Sequence, residues 1–329
     1  MAPLLPLLSG LVLLVLGSEV VVRQGSAIAA RLGVSPMLIG MTVIALATSL
    51  PELAVGIRSA QQGAAELGVG NIVGTNLVNL LLILGISALI SAIVLEPRTL
   101  RIDLPIIVAT GVLLVVLAAD GTLTTVDGVV LTLCGLGYLV ATILAGTSRA
   151  GAEALAAPPG DSPAAPAAQS SPAGAAASLP RRIVVLVIGL AVVLLGAELL
   201  VDGASGLARS AGLDEAVIGL TIVAVGTSAP ELVTTVVSSL RGARDLALGN
   251  LLGSSVFNIL LVLGPTVILA PGAVVVPEEL IAGDLLIMAV AAAALVPLFR
   301  THRRLGRLEG ALLVLAYLLY LGWLLATRI

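Results

Sequence analysis

Apolar residues run through this chain in long blocks, with polar positions confined to short interruptions and to a few places inside the blocks. Ten blocks, at roughly 4–30, 35–58, 68–94, 101–119, 126–146, 181–208, 215–240, 246–270, 280–299 and 307–326, are each long enough to cross about 30 Å of hydrocarbon as a helix. The pattern predicts an all-α integral membrane protein with ten transmembrane helices. The first block continues without a small-residue cleavage site and reads as a span, not as a signal peptide. Residues 151–180 are dominated by Ala, Pro, Ser and Gly, too poor in bulky apolar side chains to span or pack. The chain therefore divides into a first five-helix unit (1–146), a flexible linker (147–180) and a second five-helix unit (181–329).

The two units align without a gap at an offset of 179. Gly17 falls on Gly196, Glu19 on Glu198 and Gly33 on Gly212. Thr42, Thr48, Ser49, Pro51 and Glu52 fall on Thr221, Thr227, Ser228, Pro230 and Glu231. In the next block Gly70-Asn-Ile-Val-Gly-Thr-Asn-Leu-Val-Asn79 matches Gly249-Asn-Leu-Leu-Gly-Ser-Ser-Val-Phe-Asn258. Over 70–85 against 249–264, eight of sixteen positions are identical, including Gly, Asn, Gly and Asn in register, which shared leucines would not produce. Five spans is an odd number, so the second unit is expected to enter the membrane the opposite way round. Two inverted five-helix repeats, with helices broken at the midplane in matching places, are the sequence signature of a secondary transporter.

The breaks are the Thr-Ser-x-Pro-Glu stretches ending at Glu52 and Glu231. A proline inside a helix removes a backbone hydrogen bond; here it leaves the carbonyls of Ala47 and Gly226 without their usual donor. A glutamate at membrane depth is expensive and marks a functional site by default. Glu52 and Glu231 are therefore read as the two halves of one cation site. A hard divalent ion takes six to eight oxygens. The motifs supply such oxygens: carbonyls near Ala45, Thr48, Ala224 and Thr227, hydroxyls of Ser49, Ser228, Thr75 and Ser254, and amides of Asn79 and Asn258. Thr75 and Asn79, like Ser254 and Asn258, stand four apart and share a helix face. The glycines at 70, 74, 249 and 253 are expected to let helices approach closely. A lone Ser or Thr in a membrane helix usually bonds its own backbone; the duplication of the whole constellation is what points beyond that.

Composition agrees with the pattern: 59% hydrophobic, 11% charged, mean hydropathy +1.18. There is no lysine, and thirteen of the sixteen arginines fall in the odd-numbered loops, leaving Arg58, Arg209 and Arg328 on the other side. The positive-inside rule then places both termini outside and the linker in the cytoplasm of a cell membrane. One cysteine, Cys134, excludes an intramolecular disulfide. One histidine, His302, leaves no transition-metal cluster and no nucleophile–base set, so an enzyme is not expected. No cofactor, nucleic acid or obligate protein partner is indicated; the partners are the transported ions and the bilayer. Glu19 has Arg23 four residues on, which suits a local ion pair, whereas Glu198 has Asp202 there; both are left outside the site. Asp120, Asp127, Glu278 and Glu279 read as solvated helix ends, and the arginines of 300–307 as positive-inside charge.

At these motifs the chain resembles the cation/calcium exchanger superfamily, in particular its prokaryotic sodium/calcium exchangers, over everything but the linker. The resemblance implies that both glutamates bind calcium and take part in sodium binding. It places ligands at Ala45, Thr48, Ser49, Glu52, Thr75 and Asn79, and at Ala224, Thr227, Ser228, Glu231, Ser254 and Asn258, with the metal on Glu52, Glu231, Thr48 and Thr227. It implies exchange of calcium for sodium by alternating access, with spans 4–30 and 181–208 sliding against the rest. Two positions depart from the pattern. Ala47 stands where the family usually has glycine, and Asn258 where several sodium exchangers have aspartate. Asparagine at both Asn79 and Asn258 is the pattern of proton/calcium branches, so a proton-driven antiporter using the same glutamates is the alternative. A channel or a scaffold without coupled transport is a third reading, against which the two proline-broken repeats argue.

Overall fold

The computed structural model describes residues 3–94, 99–156, 178–210, 224–300 and 304–328. Among them nine helices are long and apolar enough to cross a membrane: α1 (Leu4–Leu32), α2 (Pro36–Gln61), α3 (Ala65–Ile90), α4 (Thr99–Leu117), α5 (Thr125–Gly146), α6 (Leu179–Leu207), α8 (Arg244–Leu269), α9 (Leu280–Arg300) and α10 (Arg307–Thr327). Between α6 and α8, α7 consists of Ala224–Thr227 and Ala229–Leu240. The earlier part of the block expected at 215–240, with Gly212 and Thr221, lies outside the described residues, as do Arg98, His302 and Arg303. The helix of α5 continues to Ala156, ten residues into the segment expected as linker, and residues 157–177 of that segment lie outside the described residues.

The apolar side chains sort by depth. Helices α3 and α8 are the most enclosed, whereas α1, α5, α6 and α10 present large apolar residues outward, among them Leu5, Leu133, Val187 and Leu319. Outward leucines at this density are stable in hydrocarbon and not in water, so the outer helices form the lipid-facing surface.

Small residues set how the helices meet. In α1 and α6 the partner's number falls as the first one rises: Gly10 meets Gly196, Gly17 meets Gly189, and Gln24 accepts a 3.5 Å hydrogen bond from Arg182. The two helices are thus antiparallel. A Cβ on Gly10 would lie 2.7 Å from the Gly196 carbonyl oxygen, and one on Gly196 would lie 2.9 Å from that of Gly10, so backbones touch where only hydrogen fits. The same crossing occurs twice more. Gly85 of α3 abuts Gly310 of α10, and Gly264 of α8 abuts Gly128 of α5. Each half therefore packs its enclosed third helix against the last helix of the other half.

Among the described residues four two-residue strands interrupt the helices: β1 (Ile93–Val94), β2 (Thr122–Leu123), β3 (Val274–Val275) and β4 (Arg304–Leu305). β1 pairs antiparallel with β4, Ile93 opposite Leu305, and β2 with β3, Thr122 opposite Val275. β1 ends the block expected at 68–94, whose helix stops at Ile90 because Ser91 is extended (φ −152°, ψ 126°). These elements also correct the gap-free alignment. Ile93–Val94 corresponds to Val274–Val275 at an offset of 181, because Pro271-Gly272 are two extra residues in the turn after α8. Beyond that turn Asp103 falls on Asp284, two buried carboxylates at the starts of α4 and α9; Asp284 accepts a 2.8 Å hydrogen bond from Tyr320 of α10.

Candidate cation site

The two broken helices adopt the same geometry. The first piece of α2 ends at Thr48, Ser49 carries φ −83° and ψ 5°, and the helix restarts at Leu50 with Pro51 in its first turn. In α7, Ser228 has φ −84° and ψ 4°, and the helix restarts at Ala229 with Pro230 in its first turn. Proline is tolerated there because the first turn has no intrahelical use for its missing N–H. Each glutamate sits in that new first turn, where the positive end of the helix dipole faces it. Widened, π-helical turns cover Gly40–Ile44 ahead of the first break, and Val78–Ile83 and Asn258–Leu263 in α3 and α8. Such turns recur at functional sites.

Glu52 and Glu231 are both fully buried, and their carboxylates are close enough to repel each other. The neighbours are crossed between halves: Thr227 lies beside Glu52, while Thr48 and Ser49 lie beside Glu231. None of the four carboxylate oxygens has a hydrogen-bond partner among the described residues, and neither do the amide groups of Asn79 and Asn258 or the hydroxyl of Ser49. Buried polar groups are almost always paired, so unpaired polar groups concentrated around two neighbouring carboxylates single this place out as the candidate site.

Most of the remaining expected residues are buried, and hydrogen bonds tie several of them to one another. Thr48, Thr75, Ser228, Ser254, Asn79 and Asn258 are all buried. Ser228 donates to the Thr75 hydroxyl at 3.5 Å, joining α7 to α3, and Ser254 donates to the Ala45 carbonyl at 3.5 Å, joining α8 to α2. Ala224 opens the first piece of α7, and its side chain lies outside the described set. The expected close approach holds at Gly249 and Gly253: a Cβ on Gly253 would fall 2.6 Å from the Met41 carbonyl oxygen and 2.8 Å from the Ala45 Cβ. At Gly70 and Gly74 no described residue comes within 4 Å of a Cβ; residues 216–220, which correspond to Met37–Met41 in the repeat, lie outside the described residues. Among the described residues no group of three or more His, Cys, Asp and Glu forms, so the charge of the site rests on two carboxylates.

Two contacts differ from the sequence reading. Glu19 is bound by Arg241, Nε to Oε2 at 2.7 Å, not by Arg23 one turn on, because α7 ends against the middle of α1 and brings Arg241 to it. Asn250 was not expected in the site, yet it is fully buried and accepts the Thr48 hydroxyl at 3.2 Å. Its place in the repeated Gly-Asn-x-x-Gly was the available signal.

Comparison with known proteins places this arrangement. The family described as "Sodium/calcium exchanger protein" matches residues 3–144 and 182–326. The chain is similar to the "Putative antiporter CaxA" of Alkalimonas amylolytica, 36% identical over 318 residues with 95% of each chain covered. It is also similar to the "Sodium/calcium exchanger MaX1" of Methanosarcina acetivorans, 32% identical with 96% of each covered. Among solved structures, the sodium-calcium exchanger NCX_Mj soaked with 2.5 mM Na+ and 0.1 mM Ca2+ superposes with a TM-score of 0.82 at 29% identity, over 100% of this chain and 99% of that one. The match spans both broken helices and both glutamates, and the chain belongs to the sodium/calcium exchanger protein family.

Proposed function

We propose that the protein is a secondary active antiporter that exchanges calcium for sodium across the cell membrane by alternating access, with Glu52 and Glu231 as the charged halves of one ion site. The observation that carries this is the pair of buried, mutually facing carboxylates whose four oxygens lack partners among the described residues. Calcium would be met by Glu52, Glu231, Thr48 and Thr227, with Ala45, Ser49, Thr75, Asn79, Ala224, Ser228, Ser254 and Asn258 completing the oxygen-lined site for calcium and sodium.

The ten-span reading, with units 1–146 and 181–329 in opposite orientations about the segment 147–180, has geometric support. α1 and α6 are repeat equivalents and run antiparallel. β1 and β2 flank α4, β3 and β4 flank α9, and β1 pairs with β4 while β2 pairs with β3, so α4 and α9 are antiparallel too. The arginine distribution supports both termini outside and residues 147–180 in the cytoplasm.

Two facing carboxylates in a medium of low dielectric repel when the site is unloaded. A doubly charged cation cancels that repulsion, and so do sodium ions. Only the neutralised site passes through the occluded state, so an unloaded carrier stays on one side and counterflow is obligatory. The decisive measurement is radioactive calcium uptake into proteoliposomes loaded with sodium, at equal pH on both sides, with potassium-loaded vesicles as control. Uptake only with internal sodium is expected. Uptake driven instead by an acid interior would assign the coupling to protons, the reading favoured by neutral Asn79 and Asn258 lining the site.

Asn250→Ala is expected to weaken apparent calcium affinity about 2- to 10-fold with maximal flux preserved. It removes the nearer of two acceptors for the Thr48 hydroxyl, the other being the Ala45 carbonyl at 3.4 Å, and a neutral hydrogen bond contributes roughly 0.5–1.5 kcal/mol. The calcium dependence of initial uptake measures it; an unchanged half-saturation would show that Thr48 is held without Asn250.

A further inference from the structure

Behind the cation site, where α3, α8, α4 and α9 converge, lies a cavity of about 10 Å³ lined by Asn76, Leu80, Ile107, Gly111, Ser255, Ile259, Met288 and Ala292. Its walls are four repeat-related pairs. Asn76 corresponds to Ser255 and Leu80 to Ile259 at the offset of 179; Ile107 corresponds to Met288 and Gly111 to Ala292 at the offset of 181 that applies after the two-residue insertion. A cavity bounded by a residue and its equivalent, four times over, lies on the axis that exchanges the two halves.

Asn76 is 1% exposed, and neither its Oδ1 nor its Nδ2 has a partner among the described residues. Ser255, 2% exposed, donates its hydroxyl to the Leu251 carbonyl at 2.8 Å, which leaves its oxygen free to accept. The other six lining residues are apolar. The site therefore offers one amide, able to donate or accept, and one hydroxyl acceptor, in a space of about one water molecule. A cation is disfavoured: no carboxylate lines the cavity, and its side-chain oxygens are one amide and one hydroxyl, too few for a hard ion. A dry void is disfavoured as well, because it would leave the Asn76 amide unpaired in the protein interior.

We propose that Asn76 and Ser255 bind a single water molecule on the pseudo-twofold axis, a site distinct from the cation site. Asn76 follows Thr75 and Ser255 follows Ser254, so each enclosed helix carries a candidate-site hydroxyl and, one residue on, a water-binding group at the cavity. The bound water links the backs of α3 and α8, and its hydrogen bonds can be met from either half.

The test is hydroxyl-radical labelling by X-ray pulses on the whole protein in detergent, read by mass spectrometry. Bound water generates radicals in place, so buried Met288 in the cavity wall should be oxidised several-fold faster than Met41, also buried but outside the cavity. Asn76→Leu should bring the two rates together. Equal rates in the unaltered protein would overturn the proposal whether or not the variant folds. Density for an ordered water touching both Asn76 and Ser255 in an experimental map would confirm the position, and continuous apolar packing there would overturn it.

Discussion

Glu231→Gln is expected to abolish sodium-dependent calcium uptake while leaving the protein folded. The amide keeps the shape of the side chain and removes one of two charges in a site that has no third among the described residues. For an ion about 4 Å from the carboxylate at an effective dielectric constant of about 20, that charge is worth roughly 4 kcal/mol. Each 1.4 kcal/mol is about tenfold in affinity, so the expected loss approaches ~10³-fold. Glu52→Gln should behave alike, because the two residues occupy equivalent places in matching helix breaks. Thermal unfolding in detergent supplies the control: the amide keeps the side-chain volume and removes a buried charge that repels Glu52, so the melting temperature should not fall. Near-normal flux in Glu231→Gln would remove Glu231 from the site.

Gly253→Leu is expected to have the largest effect on stability. Its Cβ would enter the Met41 carbonyl and the Ala45 Cβ, both on the segment of α2 that leads into the break, and neither can move without displacing the site. Overpacking in a close-packed interior costs about 1–3 kcal/mol and sometimes more. Loss of the monodisperse peak on size-exclusion chromatography is the expected readout. Gly322→Leu, on the outer face of α10 with open space around its Cβ, should behave as the unaltered protein. A stable, transport-competent Gly253→Leu would show that α2 and α8 separate more readily than their packing implies.

Much of this was legible in the chain because the bilayer makes strict demands. A spanning helix has to be apolar for about twenty residues, so the helices announced themselves. Glu52, Pro51 and Thr48 stood out because each is costly in such a setting and each recurs at Glu231, Pro230 and Thr227. The hidden contacts depended on neighbours distant in sequence. Arg23 is the obvious partner for Glu19 along one helix, but Arg241 reaches it from α7. The equivalence of Asp103 and Asp284 was masked by Pro271-Gly272, since a surface turn absorbs two residues without disturbing the helices on either side of it. The short strands carry no periodic signal at two residues each. Asn250 stood in the repeated Gly-Asn-x-x-Gly, but nothing along the chain joined it to Thr48, a residue of the other half.

The crossed pairing of glycines has a consequence for how the protein is made. Gly10 and Gly17 find their partners only when Gly196 and Gly189 have been synthesised, and Gly85 waits for Gly310 near the end of the chain. While the ribosome is still translating, the first five helices reside in the bilayer with their contact stripes bare and Glu52 without Thr227 beside it. Assembly from such sequence-distant contacts is slow, and half-built intermediates are where misassembly begins. A chain truncated after α5 should therefore be degraded, not accumulated as a stable half-carrier.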